Sequence, residues 1–158
     1  LLAATWASMV SMGRDGYLEK ARAVFAAADS MQAAVRSHPE LRIIGSPTFC
    51  FSFTSDQFDI YHVNDFMRLR GWRFNGQQYP NSIHMAVTGP QTQPGVTDQF
   101  ASDLDEAVAY ALEHKDDQAG SAAIYGGVAG GLTDEADDFI KMVMADMMDT
   151  QQSTPPES

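Results

Sequence analysis

Basic residues are scarce in this chain. Ten lysines and arginines stand against 21 aspartates and glutamates, a formal charge of −11. With no basic patch to meet a phosphate backbone, nucleic-acid binding is excluded from the expected functions. An anionic membrane surface is disfavoured for the same reason. Cysteine is scarcer still, since Cys50 stands alone. One thiol builds neither an intrachain disulfide framework nor a CxxC metal site. A reducing, cytoplasmic compartment is the expectation. No apolar run approaches the roughly 18 residues of a membrane-spanning helix, which leaves open an anchor upstream of this stretch.

Motifs of autonomous chemistry are missing too. There is no GxSxG, P-loop or HExxH pattern. The four histidines, His38, His62, His84 and His114, include no pair at metal-ligand spacing. Three lysines are present, Lys20, Lys115 and Lys141. His114-Lys115 imitates a Schiff-base pair, yet Asp116 and Asp117 follow it. Adjacent carboxylates favour the charged ammonium, which is the wrong state for a Schiff-base lysine. Lys115 reads as a surface residue favoured by a helix C-terminus. Cys50 alternates with phenylalanines, as a buried inert thiol would. "GGVAGG" follows no strand and lacks the Lys-Ser/Thr pair of a phosphate loop, so it reads as a hinge. The residues alone yield no catalytic residue and no metal site.

What is present is a domain's worth of patterning. The 158 residues are 44% apolar and 20% charged, enough for one domain with a core. Residues 1–12 place Leu2, Trp6, Met9 and Val10 on one helical face, and Gly13 is a plausible stop. From Gly16 a second helix carries Ala21, Val24, Phe25, Ala28, Met31 and Val35. His38-Pro39 ends it, because the residue before proline is pushed out of the α region. The period then changes to two. "LRIIGS" and "TFCFSFT" predict strands joined across Gly45-Ser46-Pro47, with Phe49, Phe51 and Phe53 on one face and Cys50 and Ser52 on the other.

A third helix, capped by Asp56 or Asp59, has Ile60, Val63 and Met67 inward and stops at Gly71. "WRFNGQQ" and "SIHMAVT" predict two more strands turning at Pro80-Asn81, with Ile83, Met85 and Val87 on one face. His84 lies opposite that set, as a strand or interface histidine or as a site residue. Thr97 is the expected cap of a fourth helix striped by Phe100, Leu104, Val108, Ala111 and Leu112. A glycine-rich loop and a last helix opening near Thr133 follow. The tail from 150 to 158 reads as disordered. This order predicts an α+β fold: a small, mostly antiparallel four-stranded sheet with helices packed on one face.

Several segments, in the same order, give the chain a family likeness. They are "AATWASM", "GRDGYLEKA", "FDIYHVNDFMRLRGW", "FNGQQYPNSIHMAVT" and "GSAAIYGGVA". Together they resemble the C-terminal end of the sphingosine-1-phosphate lyases, fold-type-I pyridoxal-phosphate enzymes related to the group II decarboxylases. The resemblance covers residues 1 to about 149. It implies that 1–14 end a large cofactor domain, that 15–149 form the small C-terminal domain, and that the opening "LLAATWASMV" continues from a longer polypeptide. A processed N-terminus is the alternative.

The resemblance also implies pyridoxal 5′-phosphate held by the upstream large domain of the same polypeptide, and a homodimer. The implied reaction cleaves a phosphorylated sphingoid base, or a related amine substrate, to a long-chain aldehyde and phosphoethanolamine. The substrate-side residues it implies are Tyr125, Gln78 and Tyr79. Two rivals remain open at this point. One is an amino-acid decarboxylase of the same superfamily, whose substrate carboxylate would need an arginine, and Arg73 is the one near the hairpin. The other is a non-enzymatic association or regulatory module.

Overall fold

The computed structural model describes residues 1–78, 80–122, 138, 141–146 and 148. Two compact units divide the chain, Leu1–Gly126 and Gly127–Ser158. In the second, the described residues are helical, and Lys141 Nζ lies 4.0 Å from Asp138 Oδ1. The expected helix start at Thr133 lies outside the described residues, as do the glycine loop from 123 onward and the tail.

The first unit holds the α+β fold that the patterning predicts. Helix α1 (Leu2–Ser37) is broken at Gly13, where φ is 57° and ψ −175°. That backbone conformation is open to glycine at little cost, so one residue turns a single run into the two expected helices. Strand β1 (Leu41–Ile43) pairs antiparallel with β2 (Cys50–Ser55). Helix α2 (Tyr61–Leu69) follows, then β3 (Asn75–Gln77) and β4 (Ser82–Ala86). A 3₁₀ turn at Gly89–Thr92 leads into α3 (Val96–Glu113). The sheet order is β1-β2-β4-β3, antiparallel throughout.

One face of the sheet carries the core. Phe51, Phe53, Ile83 and Met85 are buried there against Met31 and Val35 of α1, Val63 and Met67 of α2, and Phe100 and Leu104 of α3. Each such apolar side chain contributes about 1.5–3 kcal/mol when fully buried. The other face is polar. Ser52, His84 and Asn75 sit in register across β2, β4 and β3.

Helix α2 takes Ile60 as its N-cap, one residue after the expected Asp59, and stops before Gly71 as the pattern predicts. Asp59 Oδ1 accepts the Tyr61 N–H at 3.1 Å. Gly71, at φ 92°, follows the C-cap Arg70. Its N–H reaches Arg68 O at 3.1 Å while the Trp72 N–H reaches Met67 O at 3.0 Å. This pair of bonds is a Schellman closure.

Four details differ from the patterning. Helix α3 takes Gly95 as its N-cap, at φ 78°, so Thr97 lies inside the first turn. The third strand keeps only Asn75–Gln77, because Trp72 is drawn toward α3 by its bond to Asp103. Leu112 lies on the outer side of α3, more than a third exposed. Cys50, expected to be buried and inert, is exposed on the polar face of β2.

Candidate functional site

The site is built on α2. Its first residue, Tyr61, is fully buried and donates its hydroxyl to Gln77 O at 2.9 Å. From the sheet, Ser52 Oγ donates to Gln77 Oε1 at 2.6 Å and Ser82 Oγ reaches the same oxygen at 3.4 Å. Thr54 Oγ1 donates to Asn81 O at 2.5 Å. The β3–β4 turn is thus held from three sides. Gln78 stands exposed at this turn, directly after the anchored Gln77. Tyr79 lies outside the described residues.

The next residues of α2 hold a second segment. His62 is almost fully buried, and its Nε2 lies 3.1 Å from Asp117 O. A carbonyl only accepts, so Nε2 carries the proton. Asn64 Nδ2 donates to the buried Ser121 Oγ at 3.1 Å. Asp65 Oδ2 accepts the Ser121 N–H, also at 3.1 Å. Residues 117–121 are therefore pinned to α2 immediately before the segment that contains Tyr125, itself outside the described residues. One short helix ties the turn at Gln78 to the start of "AAIYGG".

Sequence reasoning pointed to the Gln77-Gln78-Tyr79 turn but missed Tyr61, His62, Asn64 and Asp65. Residue spacing carried no signal for them, because their burial and their partners are set by tertiary packing. Tyr61, His62, Val63 and Asn64 are four consecutive buried residues, and a helix turn buried all round carries polar groups only where they have partners. His84 lies half-buried on the polar face, with Asn75 Nδ2 3.5 Å from its Nε2. The cross-strand position fits a strand histidine, and it is not brought to the turn. Among the described residues no cluster of metal-ligating side chains occurs, and no helix is long and apolar enough to cross a membrane.

Comparison with known proteins returns enzymes of one name. No family model matches. A sphingosine-1-phosphate lyase from Arabidopsis thaliana is 36% identical over 152 residues, 96% of this chain and 27% of the relative. The Dictyostelium discoideum enzyme of that name is 38% identical over 80% of the chain and 24% of its own length. Among solved structures, a Burkholderia pseudomallei sphingosine-1-phosphate lyase superposes with a TM-score of 0.72 at 50% identity, over 97% of this chain and 29% of that one. The chain resembles the C-terminal segment of a sphingosine-1-phosphate lyase. It spans about a quarter of the length of the curated relatives it matches. The α+β sheet is the fold this lyase resemblance implies for the C-terminal domain of a fold-type-I enzyme.

Proposed function

We propose that this chain is the small C-terminal domain, residues 15–149, of a pyridoxal-phosphate-dependent lyase, and that residues 1–14 end its large domain. The complete polypeptide cleaves a phosphorylated sphingoid base to a long-chain aldehyde and phosphoethanolamine, and works as a homodimer in the cytoplasm. The carrying observation is the agreement between likeness and geometry. Three of the segments on which the resemblance rests, "FDIYHVND", "NGQQYPNS" and the start of "GSAAIYGG", are bonded together through α2.

The residues of this chain do not fit the cofactor. Lys20, Lys115 and Lys141 are all exposed, whereas a Schiff-base lysine is activated by desolvation or a cationic neighbour. Pyridoxal phosphate belongs to the large domain in this reading. In this reading the chain's own task is to position Gln78, Tyr79 and Tyr125 toward the substrate. Tyr125 lines the substrate's path with its hydroxyl beside a polar group. In the complete polypeptide, Tyr125→Phe lowers turnover by about tenfold for each 1.4 kcal/mol of transition-state stabilisation lost, with an unchanged melting temperature. Unchanged kinetics in Tyr125→Phe, together with a large loss of stability in Tyr125→Ala, leave Tyr125 a structural role only. Failure of the complete polypeptide to release aldehyde from a phosphorylated sphingoid base overturns the lyase reading itself.

A further inference from the structure

A cleft of about 450 Å³ opens beside the C-terminal end of α2. Its volume lies in the range of small-molecule sites. Two arginines, Arg70 and Arg73, line it, and no acidic residue does. In a chain with twice as many acidic as basic residues, that lining is unusual.

The two arginines differ in what they have left to give. Arg70 is already engaged. Its Nη1 lies 3.2 Å from Asp103 Oδ1, and its Nη2 pairs with Glu106. Asp103, almost fully buried, also accepts from Trp72 Nε1 at 2.8 Å and Gln99 Nε2 at 2.9 Å. That one carboxylate therefore fixes three residues of the cleft wall. Arg73 has no partner among the described residues and is exposed. Gln91 spends its Oε1 on the Thr88 N–H and hydroxyl, at 2.9 and 3.1 Å, which leaves its amide NH₂ as a second donor. Trp72, Met85 and Val96 supply apolar wall.

We propose that this cleft binds an organic carboxylate with an apolar body, Arg73 taking the carboxylate and Trp72, Met85 and Val96 the body. A guanidinium presents a planar fork that matches a carboxylate in a bidentate pair. Arg73 offers one guanidinium to one carboxylate, whereas Arg70 is shared by two carboxylates, Asp103 and Glu106. A phosphate monoester carries about −1.5 to −2 and would leave charge unbalanced near Glu106. This site goes beyond the lyase reading and does not rest on it.

The test is a binding titration of the full chain carrying Trp6→Phe, which leaves Trp72 as its one tryptophan. Octanoate is expected to change Trp72 fluorescence saturably. Arg73→Gln weakens binding by at least about tenfold, the worth of a hydrogen bond to a charged group, and Arg73→Lys keeps an intermediate affinity. Octanol binds at least about tenfold more weakly than octanoate. Arg73 is exposed and unpaired among the described residues, so both variants keep the parent's melting temperature. No saturable change at millimolar octanoate overturns the proposal. So does octanol binding as well as octanoate, or Arg73→Gln binding unchanged. Octyl phosphate binding more tightly than octanoate overturns the charge matching and makes the site one for phosphate monoesters. No arm measures turnover, so the result is independent of the lyase test.

Discussion

Helix α2 and the first third of α1 are both amphipathic helices, and they have opposite fates. Along α2, apolar Val63 and Met67 are fully buried, and polar Tyr61, His62, Asn64 and Asp65 all bond to other parts of the chain. Ahead of the Gly13 break, Trp6 is 68% exposed and Met9 56%. Helical pattern alone does not distinguish them. The difference lies in whether this chain supplies something to pack against. An exposed apolar stripe of this kind marks an interaction surface, and α2 shows what such a stripe becomes once covered.

The comparison can be broken most easily at matched methionines. Met67→Ala should cost about 2–5 kcal/mol in denaturant unfolding, as buried truncations do. Met9→Ala in the same chain should stay within about 0.5 kcal/mol. Equal losses would mean that the front of α1 is packed after all. A smaller contrast comes from hydrogen-bonding side chains. Asn64→Ala orphans groups beside the buried Ser121 and should cost about 1–3 kcal/mol. Ser11→Ala removes an exposed bond to Ser8 O, 3.2 Å long, and should cost about 0.5 kcal/mol or less.

Tyr61→Phe removes the bond to Gln77 O. It should cost about 1 kcal/mol and loosen the β3–β4 turn, read as faster amide exchange at 77–82. Unaltered exchange would remove Tyr61 from the positioning of Gln78. The smallest effect on stability belongs to Trp6→Ser. It should leave the melting transition unmoved while reducing self-association in sedimentation. A parent chain that stays monomeric at high concentration would count against the exposed stripe as an interaction surface.

Much of the fold was legible because it repeats. Period-two runs located the four strands, and Phe51, Phe53, Ile83 and Met85 fell on the expected face. Gly13 and Gly71 marked breaks where positive φ occurs. The failures share a cause. Thr97 has a capping side chain but lies two residues too late, since Gly95 takes the N-cap position. The run from Trp72 loses its strand pairing to a single long-range bond with Asp103. The candidate site residues Gln78, Tyr79 and Tyr125 rest on family likeness alone. Their support was not legible, because the partners of Tyr61, Asn64 and Asp65 lie 16, 57 and 56 residues away.

For the first unit, the sequence by itself determined the kind and order of the helices and strands, the apolar face of the two central strands and the glycines at which α1 breaks and α2 stops. These depend on side-chain spacing and on backbone freedom at glycine, which act over a few residues. Only the tertiary structure decided which polar groups are buried and what satisfies them. That is why α2 emerged as the bridge between the hairpin turn and residues 117–121, and why Arg73 emerged as the unpaired cation of a cleft whose other arginine is spent. A buried polar group must find a partner wherever the packed chain places one, and such partners follow contact in space, not spacing along the chain.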